Sequence, residues 1–170
     1  MKNIIHIFGA SGSGTTTLGK KICTELGYTF LDTDVLIEKE EGMSISKLFE
    51  AKGEAYFRNK ETETIKKLIA GEKGNIIATG GGLPMTEGNP ELLKELGTVI
   101  YLKAENETLV KRLSNDKVRP LLRNVNLKEK VETMLAIRGP VYEACADVLL
   151  QADRMSFYEI ICQIEKILRA

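Results

Sequence analysis

Short apolar runs alternate along the chain with longer segments in which apolar residues recur at helical spacing. The apolar runs predict five strands, at 3–8, 28–32, 75–79, 98–102 and 146–150. The helical spacing predicts six helices, at 15–26, 46–70, 90–95, 106–114, 127–144 and 156–168. This alternation predicts an α/β fold, a parallel sheet flanked by helices, and the near-continuous apolar strands indicate burial on both faces.

The chain of 170 residues has the length of one ordinary domain. No repeat or linker-like tract divides it, so we expect a single domain over 1–170. The stretch SNDKVRPLLRNVN, at 114–126, interrupts the periodicity with a proline and several charged residues. It predicts an exposed, mobile loop.

Composition narrows the class of protein. The 24 basic and 24 acidic residues give zero formal net charge, which argues against a broad surface for nucleic acid or anionic membrane. The three cysteines Cys23, Cys145 and Cys162 lack metal-ligand spacing and indicate free thiols in a reducing compartment. No apolar run has the length of a membrane span or the pattern of a signal peptide, so we expect a cytoplasmic protein.

The stretch GASGSGTTT follows the first predicted strand and opens the first predicted helix. It matches the phosphate-binding pattern G-x-x-x-x-G-K-[ST] at Gly9, Gly14 and Thr16, but Thr15 stands in place of the lysine. The strand, turn and helix order favours a phosphate loop, in which backbone N–H groups face an anion. A glycine-rich turn that only joins the two elements is the alternative. The lone histidine, His6, is interpreted as a residue of the sheet core.

No nearby cation replaces the missing lysine. Lys20 lies about 7.5 Å along the helix and about 140° around it from Thr15, so it points away from the loop. Phosphates would then be held by backbone N–H groups, by Mg²⁺ on Thr16 and by arginines from elsewhere in the chain.

Two aspartates follow in FLDTDVL, where the second strand ends. The two-residue period of a strand predicts that Asp32 and Asp34 point to the same side, at the carboxyl edge of the sheet where such folds bind ligands. One could hold the water shell of a metal ion while the other accepts a proton from an attacking hydroxyl. The alternative is a turn whose aspartates cap the next helix.

The segment GEAYFRNKE places Glu54, Arg58 and Glu61 on one helical face at spacings of four and three. This is either a solvated ladder of ion pairs or a rigid arginine fork for a carboxylate. Three glycines at 80–82 follow the third strand and leave backbone N–H groups open to a ligand.

Further arginines stand in two later segments. RPLLR supplies Arg119 and Arg123 in the loop at 114–126, and IRGPVYEACAD supplies Arg138. Each of them alone is typical of a protein surface.

Taken together, these segments resemble shikimate kinase, within the nucleoside-monophosphate-kinase-like branch of phosphate-loop enzymes. The matching stretches are GASGSGTTTLG, DTD, GMSISKLFEAKGEAYFR, TGGG, RPLL and RGPVYEACADVLL, which together span nearly the whole chain. The resemblance implies a five-stranded parallel sheet, a substrate-binding segment at about 33–61 and a mobile lid at about 114–126. It also implies ATP-dependent transfer of a phosphoryl group to a hydroxyl of shikimate, with Mg²⁺.

The resemblance also implies roles for individual residues. The nucleotide would be bound by Gly9, Gly12, Ser13, Gly14, Thr15, Thr16 and Thr17, with Arg112 against the adenine. Thr16 would bind Mg²⁺, and Asp32 would reach the metal through water. Asp34 would orient or deprotonate the acceptor, while Arg58, Gly80, Gly81, Gly82 and Arg138 would hold it, and Arg119 would close over the phosphates.

Thr15 departs from the family pattern, although its G-S-G-T-T-T loop resembles that of some cytidylate kinases. Two alternatives therefore stay open. One is a related small-molecule or nucleotide kinase with a different acceptor, and the other is a nucleotide-binding homologue that catalyses weakly. In each case we expect a monomer that binds a small molecule, shikimate or a related hydroxy acid in the leading interpretation, and neither nucleic acid nor membrane.

Overall fold

The structure is a computed structural model that describes residues 4–71, 76–115 and 126–169. The strands of its described part are β1 (Ile5–Phe8), β2 (Phe30–Asp32), β3 (Ile76–Ala78), β4 (Thr98–Lys103) and β5 (Val148–Gln151). The helices there are α1 (Thr15–Leu26), α2 (Thr33–Glu41), α3 (Ile45–Ala70), α4 (Asn89–Leu96), α5 (Asn106–Ser114), α6 (Leu127–Cys145) and α7 (Phe157–Arg169), with a 3₁₀ turn at Leu83–Met85.

The five strands form one parallel sheet in the order β2-β3-β1-β4-β5. β1 is therefore central, and the segment after it emerges between its two neighbours. The sequence prediction of a five-stranded parallel sheet is confirmed. Consecutive residues of a strand point to opposite sides of the sheet, and apolar residues occur on both. Helices therefore cover both faces.

The two faces of the sheet bury separate apolar clusters. Ile5 and Ile7 of β1 pack with Ile22 of α1 and Ile164 of α7. Phe8 packs on the opposite face with residues of α3, α4, α5 and α6. The interpretation of the β1 histidine as a core residue is confirmed, since His6 is fully buried.

The segment after β2 differs from the sequence prediction. β2 ends at Asp32 and the chain enters helix α2 at once, a helix that the periodicity did not predict. Helix α3 was predicted as one continuous helix, but Gly53 interrupts it with φ 82° and ψ 171°. Such a conformation is open almost only to glycine, so the helix kinks there.

Helices α2 and α3 form a unit with its own small core. Ile37 of α2 packs with Leu48 and Phe57 of α3. Outside this core, Lys60 of α3 forms ion pairs with α2, among them one to Glu40 at 3.1 Å. This unit holds the acidic and basic residues of α2 and α3 in fixed positions beside the sheet.

Two sequence-level expectations concern thiols and membranes. Cys23 and Cys145 are buried and Cys162 is half-buried, and all three are free. Across 4–71, 76–115 and 126–169, none of the helices is both long enough and apolar enough to traverse a bilayer.

Candidate active site

The segment from Gly9 to Gly14, called the phosphate loop below, leaves the central strand and enters α1 at Thr15. Gly12 and Gly14 have φ of 89° and 91°, which the glycines of this motif permit without strain. Gly14 is the N-cap of α1, and no side chain caps the first turn. The first N–H groups of α1 are therefore available to an anion, as a phosphate loop requires.

The three threonines open α1. Thr16 Oγ1 donates a hydrogen bond of 2.8 Å to Asp32 Oδ2. Thr15 is half-buried and Thr17 is exposed. Ser13 is buried, and its hydroxyl has no hydrogen-bond partner within the described residues. Thr16 and Asp32 thus join the phosphate loop to the end of β2.

Arg112 of α5 is fixed on the phosphate loop. Its Nη1 donates hydrogen bonds of 3.1 Å to the carbonyl oxygens of Gly12 and Ser13. A Cβ at Gly14 would lie 3.8 Å from the same nitrogen. The resemblance implied that Arg112 lies against adenine, and the structure adds a contact that brings a positive charge to a loop without its lysine. Arg119 and Arg123, the other arginines considered for this purpose, lie outside the described residues.

Asp32 makes contacts on both sides of its carboxylate. While Oδ2 accepts from Thr16, Oδ1 accepts from the backbone N–H groups of Asp34 at 3.0 Å and Val35 at 3.4 Å. Asp32 is therefore the N-cap of α2, as the alternative interpretation of this segment proposed. The prediction that a strand period aligns Asp32 with Asp34 is wrong, because the strand ends at Asp32 and Asp34 belongs to the first turn of a helix.

Asp34 nevertheless lies beside the glycine loop, the name used here for Gly80–Gly82. A Cβ at Gly80 would lie 3.5 Å from Asp34 Oδ1 and 3.1 Å from Glu61 Oε1. Two carboxyl groups from different helices therefore face the same glycine. Although Asp34 belongs to a helix and not to the strand, it lies near Gly80, which follows the neighbouring strand β3 at the carboxyl edge of the sheet.

Arg58 is held between two glutamates of α3. Its Nη1 donates to Glu61 Oε2 at 2.7 Å and its Nη2 to Glu54 Oε1 at 3.0 Å. The Glu61 side chain is 1% exposed, whereas Glu54 is 66% exposed. A solvated ladder does not describe the buried pair of Arg58 with Glu61, whereas the pair with Glu54 is exposed. That Arg58 acts as a fork for a carboxylate stays a prediction. The guanidinium also lies against Gly82, where a Cβ would be 2.6 Å from Arg58 Cζ.

From the sequence, Glu61 was predicted only to pair with Arg58, and the structure shows it as a buried acid that also faces Gly80. Burial raises the pKa of Glu61 to about 7, with Arg58 opposing the rise, Asp34 adding to it and Arg138 opposing it. Its Oε1 has no hydrogen-bond partner among the described residues. The buried Glu61 carboxyl therefore lies near Arg58, Arg138 and Asp34, the three charged residues predicted to bind the acceptor. Its position three residues after Arg58 was the available signal.

A cavity of about 900 Å³ opens beside these residues. Arg58 and Arg138 both line it, from α3 and α6. Lys130, Met134 and Ile137 of α6 also line the cavity. Their spacing places them on the same helix face as Arg138, so the sequence could have indicated them as lining residues. Two guanidinium groups in one cavity suit a small acceptor that carries a carboxylate.

Tyr142 contacts the glycine loop, and no role was predicted for it from the sequence. Its side chain is fully buried in α6, and its hydroxyl donates a hydrogen bond to the carbonyl oxygen of Gly81. It stands one helical turn after Arg138, which is the spacing that could have indicated it.

The expected magnesium ion is consistent with the donors present. Thr16 and Asp32 bring a hydroxyl and a carboxylate oxygen together, and Mg²⁺ prefers oxygen ligands. In the described parts of the chain, no three His, Cys, Asp or Glu side chains group as metal ligands. A site of one hydroxyl and one carboxylate is nevertheless sufficient for Mg²⁺ that is also bound by phosphates and water.

Comparison with known proteins extends this geometry. A family model described as "Shikimate kinase" matches residues 11–169. The chain is 39% identical over 172 residues to a shikimate kinase of Dictyoglomus turgidum, covering 99% of both proteins. It is 37% identical over 167 residues to that of Thioalkalivibrio sulfidiphilus, covering 98% of this chain and 87% of the relative.

A solved structure gives the same result. The shikimate kinase of Acinetobacter baumannii, in complex with shikimate, superimposes with a TM-score of 0.85 at 35% identity. The match covers 96% of this chain and 91% of that one.

Proposed function

The chain belongs to the shikimate kinase family, and from this we infer that it transfers the γ-phosphoryl group of ATP to a hydroxyl of shikimate. One observation supports the assignment to particular residues: the phosphate loop lies close to a cavity lined by two arginines. The glycine loop connects them, since Gly82 lines the cavity and a Cβ at the preceding Gly81 would lie 2.5 Å from the carbonyl oxygen of Gly9.

The phosphate loop and α1 would bind the phosphoryl donor. Its triphosphate suits the uncapped first turn of α1, where N–H groups and the helix dipole favour negative charge. Thr16 and Asp32 would hold Mg²⁺, which supplies neutralisation of phosphate charge when bound. Arg112 fixes the loop from its carbonyl side, and we propose that Arg119 of the lid covers the phosphates from the other.

The acceptor would be held by its carboxylate. Arg58 and Arg138 bring guanidinium groups to the cavity, which Gly82 also lines, and the N–H groups of Gly80–Gly82 would supply further donors. Glu54 and Glu61 hold Arg58 in one orientation, so little side-chain freedom is lost when the acceptor binds.

Asp34 would act on the acceptor hydroxyl. Its Oδ1 faces Gly80, the first residue of the glycine loop, whose next residue approaches Gly9. As the hydroxyl oxygen forms its bond to the γ-phosphorus and the bond to the β-phosphate oxygen breaks, the hydroxyl proton passes to the Asp34 carboxylate. The remaining work of the site is positioning and charge stabilisation, which dominate phosphoryl transfer.

Thr15 supports a second candidate, a homologue that binds nucleotide and catalyses weakly. A lysine at that position stabilises charge in the transition state, and removing one such donor elsewhere costs about 10² to 10³ in rate. The contact of Arg112 with the loop and the retained Thr16, Asp32 and Asp34 favour an active kinase instead.

A coupled assay of ADP release tests both candidates. We expect release by the unmodified protein that depends on shikimate, and not on quinate, gluconate or CMP. Thr15→Lys should raise turnover by less than about 10²-fold. Thr24→Lys, which adds the same charge on an exposed turn of α1, is the matched control and should leave turnover unchanged.

The other outcomes are informative. Release with a different acceptor would replace shikimate in the assignment. No release with any acceptor, reversed by Thr15→Lys but not by Thr24→Lys, would show that the loop binds without catalysing.

A further inference from the structure

Tyr142 lies beneath both loops of the site. Its ring packs edge-on against Phe8, with centroids 5.2 Å apart, and against Tyr101 at the same distance. Phe8 is the last residue of β1 and directly precedes the phosphate loop. The ring therefore fixes the hydroxyl relative to the strand from which the phosphate loop emerges.

The hydroxyl reaches the other loop. It donates to the carbonyl oxygen of Gly81, the middle residue of the glycine loop. A Cβ at Gly81 would lie 2.9 Å from the Tyr142 hydroxyl and 2.5 Å from the carbonyl oxygen of Gly9. Tyr142, Gly81 and Gly9 thus meet at one point, with no room for a methyl group between them.

The same hydroxyl is close to the arginines that line the cavity. Burial raises the pKa of Tyr142, whereas hydrogen bonding by Arg138 and the charges of Arg138 and Arg58 oppose the rise. Arg138 stands one turn earlier on α6, so both side chains occupy one face of that helix. The phenol thus contacts Phe8, which precedes the phosphate loop, and Gly81 of the glycine loop, and it lies on the helix face that carries Arg138, the proposed carboxylate-binding group.

We propose that Tyr142 is a positioning residue for phosphoryl transfer, whose hydroxyl holds the glycine loop, and with it the acceptor, at a fixed place beside the phosphate loop. This inference rests on the function proposed above. Transfer requires the acceptor oxygen and the phosphorus in near-attack geometry, and a displacement of about 1 Å can cost about 10²-fold in rate. Tyr142 would act through Gly81 and Arg138 and would not touch the reacting atoms.

Tyr142→Phe tests the hydroxyl while keeping the ring. We expect kcat to fall by about 10-fold to 10²-fold, because the glycine loop is no longer fixed. The KM values for ATP and shikimate should each change less than about threefold, because Arg58, Arg138 and the phosphate loop remain. Tyr101→Phe removes the other hydroxyl of the same aromatic cluster and should stay within about twofold of the wild type in both parameters.

Amide hydrogen exchange gives a readout independent of catalysis. In Tyr142→Phe without ligand, exchange at the glycine loop should rise by about threefold or more, since loss of a buried hydrogen bond promotes local opening. Tyr101→Phe should not raise it. A purely structural tyrosine would lower the unfolding temperature but leave kcat per folded molecule unchanged.

A second variant reaches the same contact from the other side. Gly81→Ala inserts a methyl group between Tyr142 and Gly9, and we expect a loss of kcat of at least about tenfold with Tyr142 intact. A kcat within twofold of wild type in either variant would overturn the proposal. If the wild type releases no ADP with shikimate, the proposed function fails, and unchanged exchange in Tyr142→Phe would then overturn the positioning role separately.

Discussion

Replacement of His6 by leucine should stabilise the protein, and should do so more strongly in acid. His6 lies in the central strand β1, paired in register with Ile77 of β3 and Val99 of β4. It is fully buried, and neither ring nitrogen has a hydrogen-bond partner within the described residues. Burial lowers the pKa of His6 to about 3, because the charged ring would lose its hydration.

The size of the effect follows from proton binding. An unfolded histidine has a pKa of about 6.5, so between pH 6.5 and 3 the unfolded chain binds a proton that the folded chain does not. His6 therefore does not lower the free energy of unfolding through protonation above pH 6.5, and it lowers that free energy progressively as the pH falls, by about 2 kcal/mol at pH 5. At every pH the unpartnered ring adds a cost of about 1–3 kcal/mol, which leucine removes apart from any misfit.

Urea unfolding at pH 7.5 and pH 5.0 measures both contributions. The free energy of unfolding of His6→Leu minus that of the wild type should be about 2 kcal/mol larger at pH 5.0 than at pH 7.5, which means that the variant is the more stable protein in acid. Glu61 acts in the opposite direction, because its raised folded pKa makes stability fall as the pH rises from about 4.5 to 7. Both proteins contain Glu61, so the difference between their free energies of unfolding isolates the contribution of His6.

The neighbouring Ile7→Leu is the matched control, since it changes a buried β1 residue that does not titrate. Its effect on the free energy of unfolding should be the same at both pH values. An equal effect of His6→Leu at the two pH values would refute the argument, because it would mean that His6 is protonated equally in the folded and unfolded states.

Three further outcomes follow from the site and its supporting helices. Arg58→Ala should weaken shikimate binding by about 10-fold to 10²-fold in titration calorimetry, the loss of a charged hydrogen bond, while ATP affinity stays within about twofold; unchanged shikimate affinity would remove Arg58 from the site. Asp34→Asn should keep the fold and nucleotide binding but lower kcat by about 10² to 10⁴-fold, and a loss under about tenfold would mean that Asp34 only positions the acceptor. Gly53→Ala should destabilise the protein by about 1–3 kcal/mol in denaturant unfolding, because φ 82° and ψ 171° exclude alanine. Gly71→Ala, at an extended φ and with no other described part of the chain within 4 Å of the added methyl group, should change the free energy of unfolding by less than about 0.5 kcal/mol.

The layers of the fold were predictable from the sequence because they depend on local periodicity. Five apolar runs gave five strands, and the glycine pattern placed the phosphate loop between the first strand and α1. The prediction at Asp34 was wrong, because the two-residue strand period was applied beyond the predicted strand end at Asp32, and periodicity did not reveal the helix that begins at Thr33. Only the capping contacts of Asp32 with the following N–H groups show that a helix begins there.

Contacts between distant segments were not predictable in the same way. Arg112 meets Gly12 across 100 residues of sequence, and Tyr142 meets Gly81 across 61. Neither pairing leaves a local pattern, because the sheet order brings the partners together. Motifs could therefore identify the parts of the site, whereas the residues that hold those parts together required the structure.

The shared carboxylate of Asp32 has a consequence for how the two substrates influence each other. Its Oδ2 accepts a hydrogen bond from Thr16 in the first turn of α1, and its Oδ1 caps the N-terminus of α2, whose second residue is Asp34. A ligand that draws Oδ2 away from Thr16 therefore changes the free energy of the helix start that carries Asp34, the proposed base. Thermodynamic linkage is reciprocal: if the donor changes the affinity for the acceptor by some factor, the acceptor changes the affinity for the donor by the same factor. We therefore expect Asp32 to link the binding of the two proposed substrates, and titration of either one in the presence of the other measures that linkage.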